Sequence, residues 1–132
     1  MKFFVIFYIV VLLKTSYALF SEKPLEESIL DGKEVYNDFC IQCHLGDGKG
    51  VRGIYPPLAK SDFLIDINKT IHSIKYGLKG PIIVNGEKYN SIMVNQGLDD
   101  EEISDVVNYI LNSWGNSSDE IITEEIVASI KK

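Results

Sequence analysis

The stretch CIQCHLGDGKGVRGIYPPLA, residues 40–59, contains two short patterns that indicate different folds. The first is C-x-x-C-H, formed by Cys40, Cys43 and His44. The second is G-x-G-x-x-G, formed by the glycines of residues 48–53. The first pattern is typical of covalent haem attachment, and the second is typical of a dinucleotide-binding loop. The surrounding sequence decides between them.

The glycine pattern lacks the context that a dinucleotide-binding loop requires. Such a loop follows a strand, opens a helix and precedes an acidic residue by about 20 positions within a βαβ unit. Here the glycines come after a helical pattern and His44, and they lead into Tyr55-Pro56-Pro57, which cannot begin a long helix. We therefore interpret residues 45–60 as an irregular loop around a bulky group.

The C-x-x-C-H pattern supplies the groups that covalent haem attachment needs. The thiols of Cys40 and Cys43 add to the two vinyl groups of haem, and His44 lies beside them as an iron ligand. A thioredoxin-like pair would require a βαβ fold, and a zinc site would require two more ligands at finger spacing. The one other histidine, His72, is 28 residues beyond His44. A chance match to the pattern is the remaining alternative. The residues predict one covalently attached haem c with its iron.

The first 18 residues are organised like a secretory signal peptide. Lys2 precedes an uncharged stretch, residues 3–13, and Ser16 and Ala18 form a small-x-small cleavage site. An uncleaved anchor is the alternative, but 11 apolar residues are fewer than the roughly 20 of a transmembrane helix. We expect cleavage after Ala18, a periplasmic location and no membrane span afterwards. Haem attachment outside the cytoplasm agrees with this location.

The expected mature chain, residues 19–132, is acidic and has the length of one domain. Cleavage removes two lysines and no acid, so the formal net charge changes from −6 to −8. Such a surface disfavours nucleic acid and favours partners with a basic docking face. Both cysteines belong to the C-x-x-C-H pattern, so no disulfide framework is expected to stabilise the small core.

Apolar periodicity predicts two helices before residue 80. The first extends from an N-cap at Ser28 to about Cys40, and the second from about Asp66 to Gly77. Residues 79–97 contain three glycines and suggest a second long loop, in which PIIV is expected to form a short strand.

The clearest helix follows that loop. Asp99 and Glu102 predict a capping box, an apolar stripe continues to Trp114, and Gly115 ends the helix. Residues 119–130 are expected to form a short additional helix. The predicted fold is therefore all-α, with three to four helices and long Gly- and Pro-rich loops. A large buried cofactor would order such loops.

Met93 is the expected second axial ligand. Histidine–methionine coordination is common in electron-transfer haems and raises the reduction potential. After cleavage Met93 is the one methionine left, and it lies in a predicted loop. His72 is the alternative, but it falls inside the second predicted helix. The other ring nitrogen of His44 needs a partner, which the carbonyl of Pro56 or Pro57 could supply.

With these residues the chain resembles the class I cytochromes c over roughly residues 28–115. The resemblance implies a helical fold around one haem, in which the first and last helices cross. The aromatic near the end of the last helix is then Tyr109, and it packs against Gly32 and Tyr36 of the first. The family's proline, whose carbonyl bonds to the haem histidine, corresponds to Pro56.

The resemblance also divides the chain. It implies an N-terminal extension at 19–27, a cytochrome c domain at 28–115 and a C-terminal helical extension at 116–132. The segments YPPLAKSD, GLKGPIIVNGEKYNSIM and LDDEEISDVVNYILNSWGN resemble small bacterial cytochromes, which occur alone or attached to periplasmic dehydrogenases and nitrite reductases. Val94 stands where those relatives usually have a proline after the methionine, which loosens the loop.

The expected function is that of a periplasmic monohaem cytochrome, which carries single electrons between transiently docked redox proteins and is not an enzyme. We expect docking through a small interface steered by charge. One alternative is a subunit of a larger oxidoreductase, with residues 116–132 as a docking segment. A haem sensor with a displaceable sixth ligand and a haem-free C-x-x-C redox protein are the others.

Overall fold

The computed structural model describes residues 6–9, which are helical, and residues 23–132. Most of the predicted signal peptide at 1–18, including its cleavage site, lies outside the described residues. No helix within these two ranges is long and apolar enough to cross a membrane. From residue 23 onward the helices are α1 Leu25–Phe39, α2 Ile41–His44, a 3-10 turn Asp62–Ile65, α3 Ile67–Tyr76, α4 Asp100–Leu111 and α5 Glu124–Ser129.

The contact between α1 and α4 organises the core, and it has the predicted form. A Cβ atom added to Gly32 would lie only 2.0 Å from the carbonyl oxygen of Asp105, so the two backbones touch. One turn later Tyr36 is fully buried, and its ring centroid lies 5.4 Å from that of Tyr109. The pairing of a glycine and an aromatic on α1 with α4 is therefore confirmed.

The predicted N-cap at Ser28 is wrong, because the N-cap of α1 is Pro24, four residues earlier. Pro24 has φ −59°, which suits a helix start, and two glutamates in the first turn face the positive end of the dipole. Ser28 is buried instead, and its hydroxyl donates to Asp105 Oδ1 at 2.6 Å. The proposed boundary between an extension at 19–27 and the domain thus falls inside a helix.

The start of α4 was predicted correctly and its end was not. Asp99 Oδ1 accepts from the Glu102 amide at 2.9 Å, and Glu102 Oε2 accepts from the Asp99 amide at 3.0 Å, so the capping box is present. The helix ends at Leu111 rather than near Gly115. Trp114 has φ +53°, and the turned chain places its ring 5.0 Å from that of Tyr36. This aromatic contact stabilises a position that a continued helix would not reach.

Helix α3 and a small hairpin follow the irregular loop. Asp66 caps α3 and Gly77, with φ +82°, ends it, as predicted. The predicted strand in PIIV is β1, Ile82–Val84, and it pairs antiparallel with β2, Glu87–Tyr89. The second strand was not predicted. Its signal was Asn85-Gly86, since both residues have positive φ and this dipeptide favours a two-residue hairpin turn.

The predicted C-terminal helix is present as α5 and packs against α4. Ile122 and Val127 are buried there. The amide side chain of Asn108 binds both backbone groups of Ile122, at 2.8 Å and 2.9 Å. Ile122 and Val127 therefore pack against the rest of the same chain. The principal core consists of Tyr36, Leu64, Ile71, Ile74, Ile103, Val106, Val107, Ile110, Leu111, Ile122 and Val127.

Candidate haem-binding site

One short helical turn carries the C-x-x-C-H residues. Cys40 ends α1, and its carbonyl accepts from the amides of Cys43 at 3.2 Å and His44 at 3.0 Å. The turn α2 thereby brings the two sulfur atoms and the imidazole to one end of α1. Both thiols are free. This arrangement allows one group to be bound at two points beside a histidine.

The turn opens into a cleft made of two adjoining cavities. Cys43 lines one of them, and the residues that line both are Cys40, His44, Pro56, Leu78, Ile82 and Met93. Among the described residues, none that lines either cavity is aspartate, glutamate, lysine or arginine. The structure thus brings all five sequence-predicted site residues to one apolar cleft. His72 lines neither cavity, and its ring packs 5.0 Å from that of Tyr76.

The His44 imidazole is held in one tautomer. It is 8% exposed, and its Nδ1 lies 2.9 Å from the carbonyl oxygen of Pro56. A carbonyl only accepts, so Nδ1 carries a proton, and in the neutral imidazole Nε2 is then the nitrogen with the lone pair. Burial lowers the pKa of His44, against the opposing effect of the Pro56 hydrogen bond. A neutral imidazole with an oriented Nε2 is the form that binds iron.

Met93 is fixed by its backbone. Its amide and carbonyl each form a 2.8 Å hydrogen bond with Leu78 in an isolated antiparallel bridge. A Cβ on Gly77 would lie 2.8 Å from the Met93 carbonyl oxygen, so the chain after α3 packs closely against this loop. The bridge therefore restrains the backbone directly before Val94.

Burial affects the first thiol of the pattern. The apolar surroundings raise the pKa of Cys40 to about 11, with a smaller contribution from Cys43. The Cys40 sulfur is therefore protonated at neutral pH, unlike the thiolate of a reactive redox cysteine.

The glycine loop serves packing around the site. The Gly50 amide donates to the His44 carbonyl at 3.0 Å, and a Cβ on Gly50 would lie 2.3 Å from the carbonyl oxygen of Tyr55. A Cβ on Gly48 would meet the Trp114 ring at 2.5 Å. These close approaches explain Gly48 and Gly50 without any phosphate ligand, and Gly53, with open space around it, adopts φ +75°.

The hairpin supplies lining residues that sequence reasoning missed. Ile82 and Tyr89 are register partners and line the first cavity, and Val84 lines the second. Val84 and Tyr89 are buried, whereas Ile83 and Lys88 are exposed. This alternation of inward and outward side chains is the period of two expected of a strand with one covered face.

Comparison with known proteins agrees with this geometry. Residues 29–114 match the family model for cytochrome c. The chain is 39% identical over 93 residues to cytochrome c-552 of Thermus thermophilus, which covers 66% of this chain and 70% of that protein. It is 34% identical over 106 residues to the cytochrome c subunit of gluconate 2-dehydrogenase from Pantoea cypripedii, which covers 76% of this chain and 24% of that subunit.

A third similarity is to the cytochrome c subunit of the quinone alcohol dehydrogenase of Gluconobacter oxydans, at 31% identity over 90 residues. That match covers 66% of this chain and 19% of the subunit. The chain therefore spans only about a fifth to a quarter of the dehydrogenase subunits that it matches.

The chain belongs to the cytochrome c family, a class of electron carriers with a covalently attached haem c and its iron. Within that family it is similar both to cytochrome c-552 and to cytochrome c subunits of dehydrogenases. The residues present fit the group: an uncharged cleft suits an apolar macrocycle, and a neutral histidine and a methionine sulfur line the same cleft.

Proposed function

We propose that this protein is a periplasmic carrier of single electrons, with haem c bound through Cys40 and Cys43 and its iron ligated by His44 and Met93. The observation that carries this proposal is that all four side chains line one apolar cleft, in which the bond of His44 Nδ1 to Pro56 makes Nε2 the nitrogen with the lone pair in the neutral imidazole. The bound haem iron supplies the one-electron redox chemistry.

The protein's own residues hold and shield that group. Pro56 orients His44, and the Leu78 bridge holds the backbone of Met93. The hairpin covers one side of the cleft with Ile82 and Tyr89 and excludes water from it. Apolar surroundings and a methionine ligand both favour the reduced form, so we propose a comparatively high reduction potential.

We further propose that partners dock at the mouth of the cleft. Four of its lining residues are exposed apolar side chains: Phe39, Ile54, Ile92 and Val94. We call these four side chains the rim of the cleft. Because the rim is uncharged, contact there depends on apolar complementarity, and the net negative charge of the protein acts only at longer range. This revises the expectation of an interface steered mainly by charge.

The partners that suit this surface are redox enzymes. Relatives named as cytochrome c subunits of dehydrogenases support a dehydrogenase as electron donor. The same relatives support the second candidate function, a non-catalytic subunit of a larger oxidoreductase. A secretory signal peptide at residues 1–18 would deliver either form to the periplasm.

The test is to express the full chain in a host with haem-maturation machinery and to record absorption spectra. We expect covalently bound haem and, in the ferric state, a sulfur-to-iron charge-transfer band. Met93→Ala should abolish that band. His72→Ala, the matched control for the alternative ligand, should keep it.

Two results would contradict the proposal. Absence of covalent haem in the purified chain would refute the attachment site. Covalent haem without the sulfur-to-iron band in the parent chain would refute Met93 as the sixth ligand and move the assignment to His72 or an open position, and so towards a sensor.

A further inference from the structure

Residues 121–130, which we call the C-terminal strap, connect α4 with the end of α3. The strap lies outside the region that matches the cytochrome c family model, residues 29–114. At its beginning, Asn108 of α4 binds both backbone groups of Ile122. Asn108 is 1% exposed and also donates to Ser28 at 2.9 Å, so this end is anchored in the core.

The other end of the strap is bound by the last turn of α3. Lys75 Nζ donates to the Val127 carbonyl at 2.9 Å and also pairs with Asp100 at 2.8 Å. The hydroxyl of Tyr76 donates to the Ile130 carbonyl at 2.9 Å. Two consecutive residues of α3 therefore hold the strap through its backbone carbonyls. These hydrogen bonds do not depend on the side chains of the strap.

The residues that directly follow this turn hold Met93. Gly77 packs against the Met93 carbonyl, and Leu78 forms the two-bond bridge with Met93. A continuous series of contacts thus joins Asn108, the strap, the end of α3 and the loop that carries the proposed sixth ligand. Leu78 is only two residues beyond Tyr76 in the chain. The last turn of α3 is therefore directly connected to the bridge that holds Met93.

We propose that the strap positions Met93, and that Tyr76 is a positioning residue for the sixth ligand. This inference rests on the proposed function, because it concerns Met93 as an iron ligand. The strap restrains the loop from the side of α3 and so limits the departure of Met93 from the iron. It thereby offsets the freedom that Val94 introduces where a proline would stiffen the loop.

The experiment measures how readily an added ligand replaces Met93 in the ferric holoprotein. Imidazole is titrated into the full chain, into Tyr76→Phe and into a variant that ends at Ser118. The Tyr76→Phe change removes one hydroxyl and leaves the ring beside His72. Ser129→Ala is the matched control, since it loses a 2.6 Å bond to Ile126 within the strap and no bond to α3.

If the strap positions Met93, Tyr76→Phe should raise the affinity for imidazole about two- to tenfold, as the loss of one hydrogen bond allows. The truncated variant should exceed that change, and Ser129→Ala should match the parent. A strap with only a structural role would lower the unfolding midpoint of Tyr76→Phe and leave its imidazole affinity unchanged, which would overturn the proposal.

Failure of the proposed function would look different. It would appear in the parent chain, as absence of covalent haem or of the sulfur-to-iron band before imidazole is added. If the truncated variant does not fold, Tyr76→Phe and Ser129→Ala still decide the question.

Discussion

Leu45, the residue directly after His44, has φ +62° and ψ 163°, a backbone conformation that is nearly restricted to glycine. Three hydrogen bonds hold it there. Its amide donates to the Ile41 carbonyl at 2.9 Å, and its carbonyl accepts from the Gly48 amide at 3.1 Å and from the Tyr36 hydroxyl at 2.7 Å. The strain is thus maintained by contacts on both sides of the peptide.

Replacing Leu45 with glycine should leave the stability of the protein nearly unchanged. The side chain is 39% exposed, so its removal costs about 1 kcal/mol of burial, and glycine in the unfolded chain costs up to about 1 kcal/mol more. Relief of the strain returns about 1–3 kcal/mol. We expect the free energy of unfolding of Leu45→Gly to stay within about 0.5 kcal/mol of the parent in denaturant titrations of the holoprotein.

Leu30→Gly is the matched control for this change. Leu30 is also exposed, but it lies inside α1 with ordinary helical geometry. There glycine should lower the free energy of unfolding by about 1 kcal/mol. Equal destabilisation by both substitutions would show that Leu45 is not strained.

At the scale of elements, the contact of α1 with α4 depends on the absence of a side chain at position 32. The atoms nearest to a Cβ placed on Gly32 are all backbone atoms of Asp105 and Val106, which cannot rotate away. The helices would have to separate, and separation would also disturb the buried Ser28–Asp105 hydrogen bond. This part of the molecule tolerates no added atom.

Gly32→Ala should therefore destabilise the protein even though alanine favours helices. We expect a loss of about 3 kcal/mol in the free energy of unfolding, at the upper end of the usual cost of overpacking. Lys33→Ala, an exposed neighbour on the same helix, should change it by less than about 0.5 kcal/mol. An unchanged midpoint for Gly32→Ala in thermal unfolding would contradict the close backbone contact.

For the whole molecule, the distribution of charge separates the cleft from the rest of the surface. The acidic residues at the start of α4, Asp100, Glu101 and Glu102, and those of α5, Glu124 and Glu125, do not line either of the two cavities. The rim of the cleft is formed by exposed apolar side chains instead. Electron transfer between two copies of the protein would bring two such rims together.

A charge placed on the rim should slow that transfer. We expect Ile92→Asp to reduce the electron self-exchange rate constant about tenfold or more, because like charges would be desolvated opposite each other. Leu30→Asp, an equally acidic change on an exposed residue of α1 outside the cleft, should alter it less than about twofold. The rate is measured by NMR in mixtures of ferric and ferrous protein at fixed ionic strength. Equal effects of the two variants would refute docking at the rim.

The features that could be predicted from the sequence are those with a local cause. The capping box of Asp99 and Glu102 and the end of α3 at Gly77 depend on residues within one turn of each other. The C-x-x-C-H pattern likewise places its three groups on a single turn. Met93 was predicted from the usual histidine–methionine pairing and from its position in a loop, and its role as an iron ligand stays a prediction.

The tertiary structure decided the features whose partners are distant in the chain. Ser28 became an interhelical hydrogen-bond donor because Asp105, 77 residues away, lies within 2.6 Å. Trp114 left the helical stripe because its indole N–H donates to the Gly46 carbonyl, 68 residues away. The strap depends in the same way on contacts of Tyr76 and Asn108. Short-range preferences therefore determined the elements and the attachment pattern, whereas the burial of polar groups and aromatic rings determined where those elements end and what holds them.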